Sequence, residues 1–227
     1  MVQVIPGIGA QGGLFARREK VYPAIQGGAT GQHDASSTFT CPLPADIQAG
    51  ELLLLFVYSL ENGPSGAPSG WSVLFNLSSA NVVTASCFYK TATGAEGSTV
   101  NVAMSTSWRG GVSLCVRIKD WSGTPEAATA GPTYNNAPNA PNCSPSWGSD
   151  LNLWLTGMGS AITATSITGT PAGMTSYSSV THTAGYPFIG ALAYLNYTGA
   201  SYDAGNWTLN ASTYWRAMTV VVKPAPV

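Results

Sequence analysis

The run Ala49-Gly50-Glu51-Leu52-Leu53-Leu54-Leu55-Phe56-Val57-Tyr58 decides the fold. It is the most apolar stretch of the chain, and its ten residues fall short of the roughly 20 that a membrane-spanning helix needs. A run of this length fits a strand buried on both faces, although periodicity alone does not separate it from a buried helix. Its surroundings favour the strand. Ser37-Thr38-Phe39-Thr40-Cys41 before it alternates, and Trp71 to Phe75 and Val82 to Lys90 after it are rich in β formers. Thr99 to Met104 places Val100, Val102 and Met104 on one face, and Val112, Leu114, Val116 and Ile118 share another. Turn-forming clusters at Asn62 to Gly70 and Gly94 to Gly97 separate these runs. No long 3.6-residue pattern is present, so very little helix is expected.

The same order of features returns about a hundred residues later. Cys143-Ser144-Pro145 echoes Cys41-Pro42, and Asp150-Leu151-Asn152-Leu153-Trp154-Leu155 echoes Glu51 to Phe56. Pro171-Ala172-Gly173-Met174 echoes Pro68-Ser69-Gly70-Trp71, and Ala191-Leu192-Ala193-Tyr194 echoes Ala85-Ser86-Cys87-Phe88. Trp215-Arg216 echoes Trp108-Arg109, and Met218 to Lys223 echoes Leu114 to Lys119. The expected fold is all-β: an antiparallel, jelly-roll-like β-sandwich of about ten strands from two repeated units, with an extended N-terminal arm. The arm is placed at residues 1–35, the first unit at 36–121, a Pro-rich connector at 122–142 and the second unit at 143–227, packed with the first as one sandwich.

Composition narrows the function. Charged residues make up 8% of the 227, against about 25% in an ordinary soluble protein. Nine basic and ten acidic residues nearly cancel, and no basic block exists to follow a phosphate backbone, so no nucleic-acid partner is expected. So weakly charged a surface offers little repulsion against self-association. Arg17, Arg18 and Lys20 follow a Gly-broken stretch instead of preceding an apolar one, which is not the pattern of a signal peptide. Synthesis in a cytoplasm, with exit by lysis or inside a particle, is the expectation, without membrane insertion. The four cysteines, Cys41, Cys87, Cys115 and Cys143, form no CxxC pair and no Cys/His cluster. Two disulfides or four thiols both fit the count; Cys87 and Cys115 lie inside apolar runs, where a thiol packs as a small hydrophobe.

No reaction announces itself. The two histidines are His33 and His182, and no GxSxG elbow presents a nucleophile. Most acids sit at turns, among them Asp46, Glu51, Glu61, Glu96, Asp150 and Asp203, where local hydrogen bonding is their ordinary role. No catalytic residue, metal site or cofactor is assigned, and the chain is not expected to be an enzyme. The candidate contact residues lie elsewhere. In the arm, Val4, Ile5, Ile8, Leu14, Phe15, Arg17, Arg18, Lys20 and Val21 suit an extended peptide that docks on a partner. Tyr186, Phe188, Tyr197 and Tyr202 lie in loop-like sequence and are the candidates for an exposed contact surface.

Gly50-Glu51-Leu52-Leu53-Leu54-Leu55, Pro68-Ser69-Gly70-Trp71-Ser72, Phe88-Tyr89-Lys90-Thr91-Ala92 and Trp108-Arg109 together resemble a β-sandwich module of tailed-bacteriophage structural proteins, found in head decoration proteins and in proteins of the tail tip or fibres. The likeness covers about residues 36 to 120. In the second unit Met174 stands where the module has Trp, and Asn152 interrupts the apolar strand. The resemblance implies a virion protein made in a bacterial cytoplasm. Within that role the arm, the low charge and the duplicated sandwich lead to the expectation of a capsid decoration or cement protein, trimeric, bound to the major capsid protein or other virion proteins through its arm. A tail or receptor-binding protein that recognises host glycans is the alternative. It carries no catalytic residue over.

Overall fold

The computed structural model describes residues 19–61, 63–78, 82–106, 109–161, 163–184 and 187–227. Among them there is no helix, and every strand pairing is antiparallel. The first half supplies β1 (Ala24–His33), β2 (Thr38–Pro42), β3 (Leu52–Leu60), β4 (Ser72–Leu77), β5 (Val83–Thr91), β6 (Thr99–Ala103) and β7 (Gly111–Lys119). The second supplies β8 (Trp121–Asn135), β9 (Asn139–Ala140), β10 (Asp150–Ala161), β11 (Ile167–Gly169), β12 (Thr175–His182), β13 (Phe188–Gly199), β14 (Gly205–Asn206), β15 (Thr208–Leu209) and β16 (Thr213–Pro224). Two five-stranded sheets result, in the orders β1-β7-β3-β5-β4 and β8-β16-β10-β13-β12. Each sheet is drawn from one contiguous half, and the two orders correspond strand for strand.

The opening run is β3, at the centre of the first sheet and buried along its whole length. Leu52, Leu54, Phe56 and Tyr58 face the second sheet, where they meet Leu153 and Leu155 of β10, Leu192 of β13 and Val220 of β16. Leu55 and Val57 face the other way, under Phe39, Cys41 and Val102 of the small β2-β6 sheet. The second sheet is covered likewise on its outer face, where Met158, Ala191, Ala193 and Trp215 lie under Trp207, Leu209 and Ala140. Burial on both faces explains the unbroken apolar run, because there is no solvent side on which polar residues could alternate.

The sheets interlock at Tyr58. The Tyr58 ring, fully buried, lies over Gly157, Gly159 and Gly190 of the second sheet. A Cβ on Gly159 would stand 2.2 Å from Tyr58 Cδ1, and one on Gly157 would stand 2.8 Å from its hydroxyl. The hydroxyl donates to Met218 Sδ at 3.1 Å. Directly across the ladder from Gly159, Arg216 of β16 donates to Val83 O of β5 at 2.8 Å and to Gly131 O at 3.1 Å.

The structure corrects the reading of the sequence at four places. The arm does not extend to residue 35: β1 begins at Ala24 and pairs with β7 as far as His33. Its Gly-rich sequence hides it, since an edge strand is held by hydrogen bonds on one side and needs no continuous apolar face. The expected connector contains β8, fifteen residues long, whose Pro125 and Pro132 are tolerated because only one of its sides pairs, with β16. The echo of Ala85 in Ala191 is one residue out of step. Ala85 faces the core between the sheets and Ala191 faces the outer layer, and a slip of one residue exchanges the faces of a strand. Finally, Phe188, expected at an exposed surface, is fully buried: it opens β13, opposite Ala161 of β10, and faces the core between the sheets.

The turn echo, by contrast, has a structural counterpart. Trp71 N–H bonds to Pro68 O at 3.0 Å, and Met174 N–H bonds to Pro171 O at 3.2 Å. Gly70 (φ 77°) and Gly173 (φ 79°) hold the same left-handed position in each turn, immediately before the equivalent edge strands.

Candidate functional site

Three clusters lie where the two halves meet or where aromatic rings reach the surface. The first is the root of the N-terminal segment. Lys20 Nζ meets Asp150 Oδ2 at 2.6 Å, and the Tyr22 and Thr198 hydroxyls are 2.7 Å apart. Burial pushes the Asp150 carboxyl up, but the Lys20 ammonium and the Leu151 N–H outweigh it and hold the group below its ordinary range. The chain thus crosses from the first sheet to the ends of β10 and β13, and Glu19 to Val21 lie beside Asp120 and Ala225 to Val227. Lys20 is therefore committed to its own chain, while Val21 is exposed. Val4, Ile5, Ile8, Leu14, Phe15, Arg17 and Arg18 lie outside the described residues.

The second cluster is aromatic. Trp154 of β10 is buried, and Tyr202 tilts against it with ring centroids 5.7 Å apart. Tyr197, 44% exposed, stands 5.6 Å beyond Tyr202. Trp147 is half-buried beside Trp154; its indole donates to Asn152 Oδ1 at 3.0 Å, and Lys223 Nζ lies 5.8 Å over its ring. Asp203 is close enough to contribute to raising the Tyr202 phenol, after burial as the main cause. Trp147, Tyr197 and Tyr202 therefore form an aromatic ledge over Trp154, with a carboxylate and an ammonium at its borders and the fully buried Asn152 amide beneath it. Tyr197 and Tyr202 come together here; Tyr186 lies outside the described residues, and Phe188 belongs to the core. Asn152, a polar break in the apolar strand, braces this ledge and also donates to Gly199 O at 3.2 Å.

The third cluster holds both histidines of the chain. His33, at the end of β1, stacks on Phe39 with centroids 4.5 Å apart. Its Nε2 is 2.8 Å from Ser113 Oγ and 3.7 Å from Cys41 Sγ. His182, at the end of β12, places Nε2 3.0 Å from Asp34 Oδ1, while its buried Nδ1 has no hydrogen-bond partner. Burial, aided by His182, pushes His33 down to about 4. The Ser113–His33 contact has the length of a nucleophile–base pair, but Ser113 is 1% exposed beneath Phe39 and Cys41, so no substrate carbonyl can reach its oxygen. The thiols are equally inert. All four are free and buried, and burial pushes Cys41 up to about 12 and Cys143 up to about 11. Among the described residues no group of three or more His, Cys, Asp or Glu side chains is placed to hold a metal ion.

Sequence reasoning missed Tyr22, Thr198, Asp34 and Ser113 because their partners lie 80 or more positions away. One local signal was present: in Val180-Thr181-His182 the alternation puts His182 on the same face as a core valine. Comparison of the chain with protein-family models, curated proteins and solved structures gave no match.

Proposed function

We propose that the protein is a structural component of a phage particle, a decoration or cement protein that binds the outer shell of the head through its N-terminal segment. The observation that carries this reading is the pinned root. Lys20 and Tyr22 are held against the ends of β10 and β13, immediately after a segment, residues 1–18, whose sequence is rich in Val, Ile, Leu and Phe. A segment that adds to a partner as a strand gains affinity through backbone pairing and register through its apolar side chains. The weakly charged surface and the sequence likeness to phage β-sandwich modules support the same reading, with the major capsid protein as partner and a trimer as the assembled form.

The test removes residues 1–18 and keeps Lys20, Tyr22 and β1. Binding to shells assembled without the protein is expected to fall at least tenfold, with an unchanged melting temperature. Undiminished decoration would refute the arm mechanism.

The aromatic ledge favours a second reading, recognition of a host-surface glycan at a tail position. Ring faces bordered by polar groups suit the apolar faces and hydroxyls of a sugar. Under this reading Tyr197→Ala weakens retention on host envelope polysaccharide severalfold while leaving stability unchanged; equal retention of both proteins excludes the ledge.

A further inference from the structure

We infer that His33, His182 and Asp34 form an acid-sensitive latch that holds the edge strand β1 of the first sheet to the edge strand β12 of the second. This inference does not depend on the proposed virion role.

Histidines 149 residues apart in sequence meet at the one rim where β1 and β12 run side by side. Between them passes the strand entry at Gly110, where a Cβ would stand 2.4 Å from His33 O and 3.3 Å from His182 Cε1. A side chain at Gly110 would find no space, whereas the Asp34 side chain at the outer edge of the cluster is open to solvent. The groups facing it are few. β1 continues into Asp34, the carboxylate that His182 meets; β2 offers the Cys41 thiol, and β7 the Ser113 hydroxyl. Ahead of β7, Arg109 is paired with Glu61 at 3.1 Å.

With its proton on Nε2, His182 donates to Asp34 and so ties the second sheet to the residue that follows β1. His33 packs as a neutral ring against Phe39, with a hydroxyl and a thiol as its polar neighbours. A proton added to His33 places a charge in an apolar site, facing His182 and with no carboxylate of its own. Asp34 is 86% exposed on its side chain and already engaged, so its attraction is screened and cannot serve both rings. When the end of β1 lifts from β12 and also from β2 and β7, whose Phe39, Cys41 and Ser113 cover the ring, His33 reaches water and takes a proton freely.

The sign follows from this difference. His33 titrates at about 4 in the closed rim and at its ordinary 6.5 when opened. Above pH 6.5 neither state is protonated and the latch is at full strength. Between pH 6.5 and 4 only the open state binds the proton, so closure weakens as pH falls and levels off below 4. At pH 5 this linkage raises the open population about thirtyfold over that at pH 8.

Amide hydrogen exchange on the intact chain, corrected for the intrinsic pH dependence, reads the opening directly. Exchange at residues 31–34 and 180–182 is expected to rise about thirtyfold from pH 8 to pH 5, while the central strands β3 and β10 stay protected. His33→Asn is expected to remove the step. Because that variant also alters packing on Phe39, the His33 ring protons are titrated by NMR in the unmodified chain, with a midpoint well below 6.5 expected. No change in rim exchange, a step that survives His33→Asn, equal exchange across both sheets, or an ordinary His33 midpoint would each overturn the latch.

Discussion

Tyr58→Ala is expected to destabilise the protein by about 3–5 kcal/mol, the range for removing a large buried aromatic ring. The size of the effect comes from what the ring covers. Gly157, Gly159 and Gly190 have no side chains with which to fill the space, and the backbone of two hydrogen-bonded strands cannot collapse into it. A double-mutant cycle identifies the contact itself. Gly159→Ala alone sets a methyl group against the ring at 2.2 Å and is expected to cost about 1–3 kcal/mol or more. In the Tyr58→Ala background the methyl group enters vacated space, so its cost falls by at least about 1 kcal/mol. Urea denaturation of the four proteins measures this coupling. Additive effects would mean that the ring is not seated on the glycines.

Arg117→Ala is expected to be comparably severe for an electrostatic reason. Arg117 Nη1 lies 2.8 Å and 3.2 Å from the two carboxylate oxygens of Glu51, whose side chain is 7% exposed. Glu51 also accepts the Gln48 N–H at 2.9 Å, which holds the turn that starts β3. Removing the guanidinium leaves a buried carboxylate without its cation, at a cost of about 3–5 kcal/mol. The guanidinium also lies over Gly27 of β1, where a Cβ would stand 3.0 Å from Nε, so that edge should loosen as well. Replacing both partners, Glu51→Met with Arg117→Met, removes the charge and its counter-charge together. That double variant is expected to recover most of the stability, because a buried pair contributes little beyond what well-packed apolar groups provide. A double variant as unstable as Arg117→Ala would show that the pair is indispensable.

These two contacts also show what the sequence could and could not disclose. β3 was legible because burial on both faces leaves a continuous apolar run, and the turns before β4 and β12 were legible because Gly70 and Gly173 each follow a proline by two residues. β1 was not, because Gly27, Gly28 and Gly31 lie where Arg117, Tyr177 and Ser113 press on the backbone. Keeping that space clear is a demand made by residues 82 to 149 positions away, and nothing local reports it. β8 was hidden by prolines that only an edge can carry. Among the proposed contact residues, Tyr197 is exposed and Tyr202 half-buried beside it, whereas Phe188 was misread because the turn-like sequence before it masked the first position of a core strand. The histidine cluster was beyond reach, since it exists only once two edges from different halves lie together.

Because each sheet closes within its own half, almost all backbone pairing can form before the halves meet. The contacts that join them, among them the apolar core between the sheets, the Tyr58 ring on its glycines and the Arg216 bond to Val83 O, would on that order of events form last. Weakening contacts that form late accelerates unfolding far more than it retards folding. On that order the lifetime of the folded chain, as distinct from its equilibrium stability, is set at the junction between the halves and not in the strands.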